Sequence, residues 1–222
     1  MPWERDADMR VRAQEGSASV TSDGNYRSLR SNRVGALYAA SALDDLIRLG
    51  YGYCAGIGLL SAGEPLPNQV IVTLRPTLWV RVPSGVTIRP FYGAIQVEDT
   101  GATNAFEALI GSAPSDVGNG TSDAADFGPV NLRTGLGDNS GCTVRQEASG
   151  DVDADVNCNL WRAFKHEDNV ATPATAGPAN FEWKPTVLPA LVGPATLALY
   201  VGGGAIHQIT AQLQWIVEPT AN

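Results

Sequence analysis

NQVIVTLRPTLWVRVPSGVTIRPFYGAIQVED, residues Asn68–Asp99, contains four short runs in which apolar side chains occupy every second position. A period of two with many β-branched residues is typical of strands that bury one face. Pro76, Pro83 and Pro90 interrupt these runs. Because proline cannot donate to a central ladder, the three positions are predicted to be strand ends, edges or corners. The stretch therefore predicts several short strands of a β-sandwich.

The end of the chain carries the same signal. Ala195–Val201 and Ile206–Val217 are two predicted strands, separated by three glycines. In the second strand, apolar side chains such as Leu213 and Trp215 alternate with glutamines and threonine, which predicts an antiparallel strand with one buried face. With about eight to ten strands by pattern, the chain is predicted to be all-β, an antiparallel β-sandwich of jelly-roll type.

Shorter predicted elements lie between these two regions and before them. One short helix is expected within Ala36–Leu49, with Gly50 as its stop. Gly63–Pro67 is predicted to be a turn or linker. Further predicted strands are Tyr51–Leu60, Phe106–Ile110, Val130–Arg133, Cys142–Gln146 and Val156–Phe164.

The 222 residues are predicted to form an extended N-terminal arm, 1–35, and a single jelly-roll domain, 36–222. The arm is poor in large apolar residues, so it cannot offset its ordering entropy alone. Two interpretations stay open, a disordered terminus and an arm that partners order. Trp3, Tyr26 and Leu29 are spaced anchors that a purely solvating tail does not need, and they are candidate interface residues.

Charge argues against binding to nucleic acid. The formal net charge is −8, and residues 1–48 contain equal numbers of arginines and acidic residues. A genome-packaging arm would be strongly basic, so we expect no direct nucleic-acid binding. The chain opens on MPWERDADMRVR, which is charged where a signal peptide is apolar. We therefore expect a soluble protein or a part of an assembly, without membrane contact.

The three cysteines, Cys54, Cys142 and Cys158, form an odd set, which does not suit a disulfide framework. We expect reduced and mostly buried thiols. The alternative is a disulfide between Cys142 and Cys158 on neighbouring strands.

No catalytic constellation is visible. The two histidines, His166 and His207, lack a second ligand at metal spacing, so neither an enzyme nor a cofactor is predicted. Asp151, Asp153 and Asp155 alternate in a polar loop and can present several oxygens to calcium, although the loop lacks the glycine and glutamate of an EF-hand. Two hypotheses remain for this loop, a calcium site and an acidic turn that keeps the surface soluble.

Three phrases resemble jelly-roll virion structural proteins of bacteriophages. Pro76–Pro90, PTLWVRVPSGVTIRP, is similar to a strand that leads through "VPSG" into the next strand. Gly193–Tyr200 and Ala211–Ile216 are similar to the final hairpin of those proteins. The resemblance implies a capsid-associated role without catalytic residues, localised in a virion that assembles in the host cytoplasm.

We therefore expect a capsid-associated cement or decoration subunit that contacts other capsid proteins. It is expected to form a homo-oligomer, most simply a trimer. Arg75, Arg81 and Arg89 alternate with apolar residues and are candidates for contact with an acidic neighbour. A single jelly-roll major capsid protein is the first alternative. The second is a carbohydrate-binding β-sandwich module, with loops 112–128 and 167–179 framing its site and calcium at Asp151–Asp155.

Overall fold

The structure is a computed structural model that describes residues 42–58, 64–65, 71, 74–97, 105–117, 128–146, 158–166, 179–203 and 208–218. These residues form one helix and twelve strands, and all twelve strands lie in the compact unit Leu46–Glu218. The elements are α1 Ala42–Arg48, β1 Gly52–Ile57, β2 Glu64–Pro65, β3 Leu78–Val82, β4 Thr87–Val97, β5 Ala105–Ala113, β6 Val130–Asn131, β7 Thr143–Gln146, β8 Cys158–His166, β9 Ala179–Trp183, β10 Leu191–Val192, β11 Ala195–Gly203 and β12 Gln208–Val217.

The strands form two antiparallel sheets that pack face to face. Sheet 1 has the order β10-β4-β12-β1-β6, with β9 also paired to β4 and β2 to β12. Sheet 2 has the order β7-β3-β11-β5-β8. Without the short flanking strands, the two sheets are β1-β12-β4-β9 and β3-β11-β5-β8. This connectivity is that of an eight-stranded jelly roll, so the predicted fold class is confirmed.

The core between the sheets is apolar and filled. Ile209, Ala211, Leu213 and Trp215 all point into it, as the alternation in β12 predicts. Gly93 allows close approach of the two sheets, because a Cβ at this position would lie 2.6 Å from Cδ1 of Ile110 across the core. Both sheets therefore use their inward positions for packing.

Sheet 2 also buries part of its outer face. A second apolar cluster lies there, and the half-buried side chains of Ile71 and Leu74 pack against it. The alternation at residues 70–74 predicted a strand, yet Ile71 and Leu74 belong to none, and their neighbours 70, 72 and 73 lie outside the described residues. The outer cluster, as we call it below, consists of Trp79, Leu109, Ala113, Val117, Ala198 and Tyr200.

A short segment is tied down beside the outer cluster by polar contacts. The Thr196 hydroxyl donates to the carbonyl oxygen of Ser115 at 3.0 Å and accepts from the N–H of Val117 at 3.2 Å. The Arg81 guanidinium donates to the carboxylate of Asp116, with 2.8 Å between Nε and Oδ1. Since Arg81 and Thr196 are cross-strand partners, both contacts hold residues 115–117 over the outer face of sheet 2.

Two local predictions need correction. Glu64–Pro65 pairs with Gln208 and Ile209 as strand β2, where a turn was predicted, because β12 extends past β1 and offers it a partner. The thiols are free, and Cys158 is exposed although mostly buried thiols were expected. Cys142 adjoins β7 and Cys158 begins β8, at opposite edges of sheet 2, so the alternative disulfide is wrong.

The helix ends where the sequence predicts. Gly50 has φ +90°, and its N–H donates to the carbonyl of Ile47 at 2.9 Å while the N–H of Tyr51 donates to that of Leu46 at 3.0 Å. These bonds satisfy carbonyls that the last turn would leave open, and the positive φ favours glycine. Residues 36–41 of the predicted helix lie outside the described residues.

Candidate functional site

A groove crosses the outer face of sheet 1, and cross-strand pairing explains its shape. One row of paired residues runs Gly56, Gln212, Ala94, Glu182 across β1, β12, β4 and β9. Two of the four residues have little or no side chain, so the row is low at Gly56 and Ala94. The groove encloses about 430 Å³, within the range of roughly 300–1,000 Å³ that small-ligand sites have.

Polar side chains border this low row on one side. In the next row Thr210 pairs with Gln96, which pairs with Asn180, and the Thr210 hydroxyl donates to Oε1 of Gln96 at 3.3 Å. The side chains of Gln212 and Asn180 make no hydrogen bond within the part of the chain that the structure describes. Among the described residues these amides are therefore unused, and each can both donate and accept hydrogen bonds.

An aromatic ring and an ion pair border the other side. Nζ of Lys184 lies 2.8 Å from Oε2 of Glu182 and 5.4 Å from the ring centre of Tyr92, and the Tyr92 hydroxyl donates to Glu182 at 3.3 Å. The hydrogen bond and charge of Lys184 lower the pKa of Glu182, and the same contact raises the pKa of Lys184. Both groups therefore stay charged at neutral pH and offset each other.

The arginines predicted as one contact surface lie on two. Arg81 is on β3 at the outer face of sheet 2, where it pairs with Asp116. Arg89 is on β4 at the outer face of sheet 1, where it pairs with Glu218. Arg75 precedes β3 outside any strand. The period of two indicated that the arginines face outward, but the β3–β4 turn moves the chain from one sheet to the other.

Other predicted site residues lie outside the described ranges. They are Trp3, Tyr26 and Leu29 of the arm and Asp151, Asp153 and Asp155 of the candidate calcium loop. Within the ranges that are described, no three metal-binding side chains come together. In the same ranges, no helix has the length and apolar character needed to cross a bilayer.

Sequence reasoning did not find the groove. The polar half of the β12 alternation marked Thr210 and Gln212 as outward. Their partners on β4 are Gln96 and Ala94, which pair in turn with Asn180 and Glu182 on β9, and no motif in the sequence links these distant segments. Comparisons with protein-family models, with curated proteins and with solved structures found no match to this chain.

Proposed function

We propose that this chain is a non-enzymatic virion structural protein, a capsid-associated cement or decoration subunit. It would act as a homo-oligomer, and we expect a trimer. It would stabilise a viral shell through contacts between subunits and through its N-terminal arm. Its partners would be further copies of itself and other capsid proteins.

One observation carries the proposal: the phrases that resemble virion jelly-roll proteins adjoin one another in space. Ala195 pairs with Val82 across β11 and β3, and the N–H of Gly193 donates to the carbonyl of Val86 at 2.8 Å. A Cβ on Gly193 would lie 1.9 Å from the carbonyl oxygen of Pro83, so glycine is required where the turn meets β11. The third phrase lies in β12, which pairs with β4 from Ile88 to Val97.

The packing supports a scaffold role. Buried apolar side chains from both sheets form the core between them. The outer cluster buries part of the outer face of sheet 2 as well. A domain with such a core uses its outer surface and strand edges for contacts, as a shell subunit requires.

Sedimentation and electron microscopy test the proposal. We expect the purified full chain to sediment as an oligomer and to bind native capsids, where microscopy shows it on the shell. Removal of residues 1–35 should leave the thermal melting transition unchanged but abolish attachment. A protein that is monomeric in solution and on particles would contradict the proposal.

The same experiment separates the first alternative. A single jelly-roll major capsid protein expressed alone should assemble closed shells, whereas a cement subunit binds only to shells made by another protein. Arg81→Glu adds a test of the predicted arginine contact, with Arg89→Glu as the matched variant on the other sheet. Assembly that Arg81→Glu leaves unchanged would remove Arg81 from the contact surface.

The second alternative, a carbohydrate-binding module, was predicted to use loops 112–128 and 167–179 with calcium at Asp151–Asp155. Most of these residues lie outside the described ranges. The groove lies on sheet 1, and its lining includes Asn180, which follows the predicted loop 167–179 in the sequence.

A further inference from the structure

We propose that the groove on the outer face of sheet 1 binds a neutral oligosaccharide. This inference concerns a site that the shell role does not use, and it stands or fails independently of that role. Its basis is the arrangement of Gly56, Tyr92, Gln96, Asn180, Glu182 and Gln212 across four neighbouring strands.

The shape of the groove suits a flat, polar ligand. The row is low at Gly56 and at Ala94, on either side of Gln212, so a ligand can approach the backbone of the sheet at these two positions. Four strands joined by continuous pairing form the floor, and such a floor needs little reordering when a ligand binds. Preformed sites lose less entropy on binding than mobile loops do.

The polar groups suit hydroxyls. An amide both donates and accepts hydrogen bonds, as does a sugar hydroxyl, so Gln212 and Asn180 can each bond one or two neighbouring hydroxyls. Neither side chain has a partner within the described ranges. The half-buried ring of Tyr92 adds an apolar surface with a polar tip, which suits the mixed C–H and O–H surface of a sugar.

The charges favour a neutral ligand. The two ionised side chains at the groove, Glu182 and Lys184, are bound to each other at 2.8 Å. A charged sugar would have to compete with this contact and would meet a like charge within a few ångströms. The other polar side chains of the lining are neutral: the amides of Gln96, Asn180 and Gln212 and the hydroxyls of Tyr92 and Thr210.

A glycan array tests the proposal with the full chain. The array should carry neutral oligosaccharides of glucose, galactose and mannose, with sialylated and sulfated glycans for comparison. We expect binding to one or more neutral glycans, followed by titration calorimetry with the strongest of them. Gln212→Ala and Asn180→Ala should each weaken that binding by about tenfold, the effect of one lost hydrogen bond with a neutral partner.

Two further variants locate the site. Ala94→Gln places a long side chain in the low row and should abolish binding. Gln214→Ala, at the next outward position of β12 and outside the groove, should bind as the parent chain does. All variants should melt within a few degrees of the parent, since these positions are outward-facing.

Several results would overturn the proposal: an array without neutral glycan binding, a preference for charged glycans, or neutral binding that Ala94→Gln leaves intact. Peptide binding that depends on Gln212 in place of glycan binding would also overturn it, because the groove would then serve an extended protein segment. Loss of glycan binding with normal attachment to capsids would leave the shell role unaffected.

Discussion

The two outer faces of the sandwich start from similar strands and differ in what covers them. On sheet 2, Trp79 pairs with Ala198, which pairs with Gly111, and all three residues are buried. On sheet 1, the row of Gly56, Gln212 and Ala94 also has two small members, but Gly56 is exposed and the other two are only half-buried. In both rows small residues create space beside a larger one. On sheet 2 the larger residue is Trp79, whose indole ring is buried. On sheet 1 it is Gln212, whose side chain ends in a polar amide.

This difference shows how one fold assigns separate tasks to its faces. Covering an apolar outward row stabilises the folded state by about 25 cal/mol for each Å² of apolar surface removed from water. Covering a row of amides stabilises the folded state little, because a buried amide must replace its hydrogen bonds to water. Left exposed, the amides can bond solvent or a ligand. The outer cluster thus contributes to stability, and the groove contributes a binding surface.

The largest expected effect comes from truncation of the aromatic residue on each face. Trp79→Ala should lower the free energy of unfolding by about 3–5 kcal/mol, because the indole is fully buried. Tyr92→Ala should lower the free energy of unfolding by only about 1 kcal/mol, because that residue is half-buried. Urea denaturation measures both. If both variants lost the same free energy of unfolding, the two outer faces would not differ in how deeply they bury their aromatic residues.

Two matched alanines sharpen the comparison. Ala198→Gln should lower the free energy of unfolding by about 1–3 kcal/mol or more, since it overpacks the outer cluster and buries an amide. Ala94→Gln should change it by less than about 0.5 kcal/mol, since the groove has room for the side chain. Differential scanning calorimetry of the two variants provides the test, and a smaller loss for Ala198→Gln would contradict it.

The smallest effect concerns thiol reactivity. Burial, then the charge of Asp138, raises the pKa of Cys142 to about 12, and burial also raises the pKa of Cys54 on the open face. At pH 8 a thiol reagent should label exposed Cys158 first and Cys54 more slowly, and should reach Cys142 only on unfolding. Mass spectrometry of peptides identifies the labelled thiols. Labelling of Cys142 as early as Cys158 would show that the core opens in the folded protein.

The same thiol should affect stability at high pH. The unfolded chain releases the Cys142 proton near its ordinary pKa of about 8.5, whereas the folded chain retains it up to about pH 12. The free energy of unfolding should therefore fall as pH rises through this window. Cys142→Ala should show a shallower fall in urea denaturation between pH 8 and pH 10 than the parent chain does.

Much of the fold was predictable because strands have a local signature. Leu213 and Trp215 were assigned to the buried face of β12 from the period of two alone, and both are buried. Gly50 was assigned as the helix stop because few other residues accept its backbone conformation. The site was not predictable, since Gly56, Ala94, Glu182 and Gln212 become neighbours only through pairing of strands far apart in the chain.

The sequence by itself determined the all-β class and the inward faces of the long strands such as β4, β11 and β12, because the alternation of side chains is a local property of extended backbone. The short strand β2 and the edge strand β9 were not predicted. Only the tertiary structure decided the fate of the outward faces. Ala94 and Ala198 are the same residue at outward positions of long strands. Ala198 is buried because Trp79 and residues 115–117 come to lie at its face of sheet 2, while Ala94 remains open in the groove.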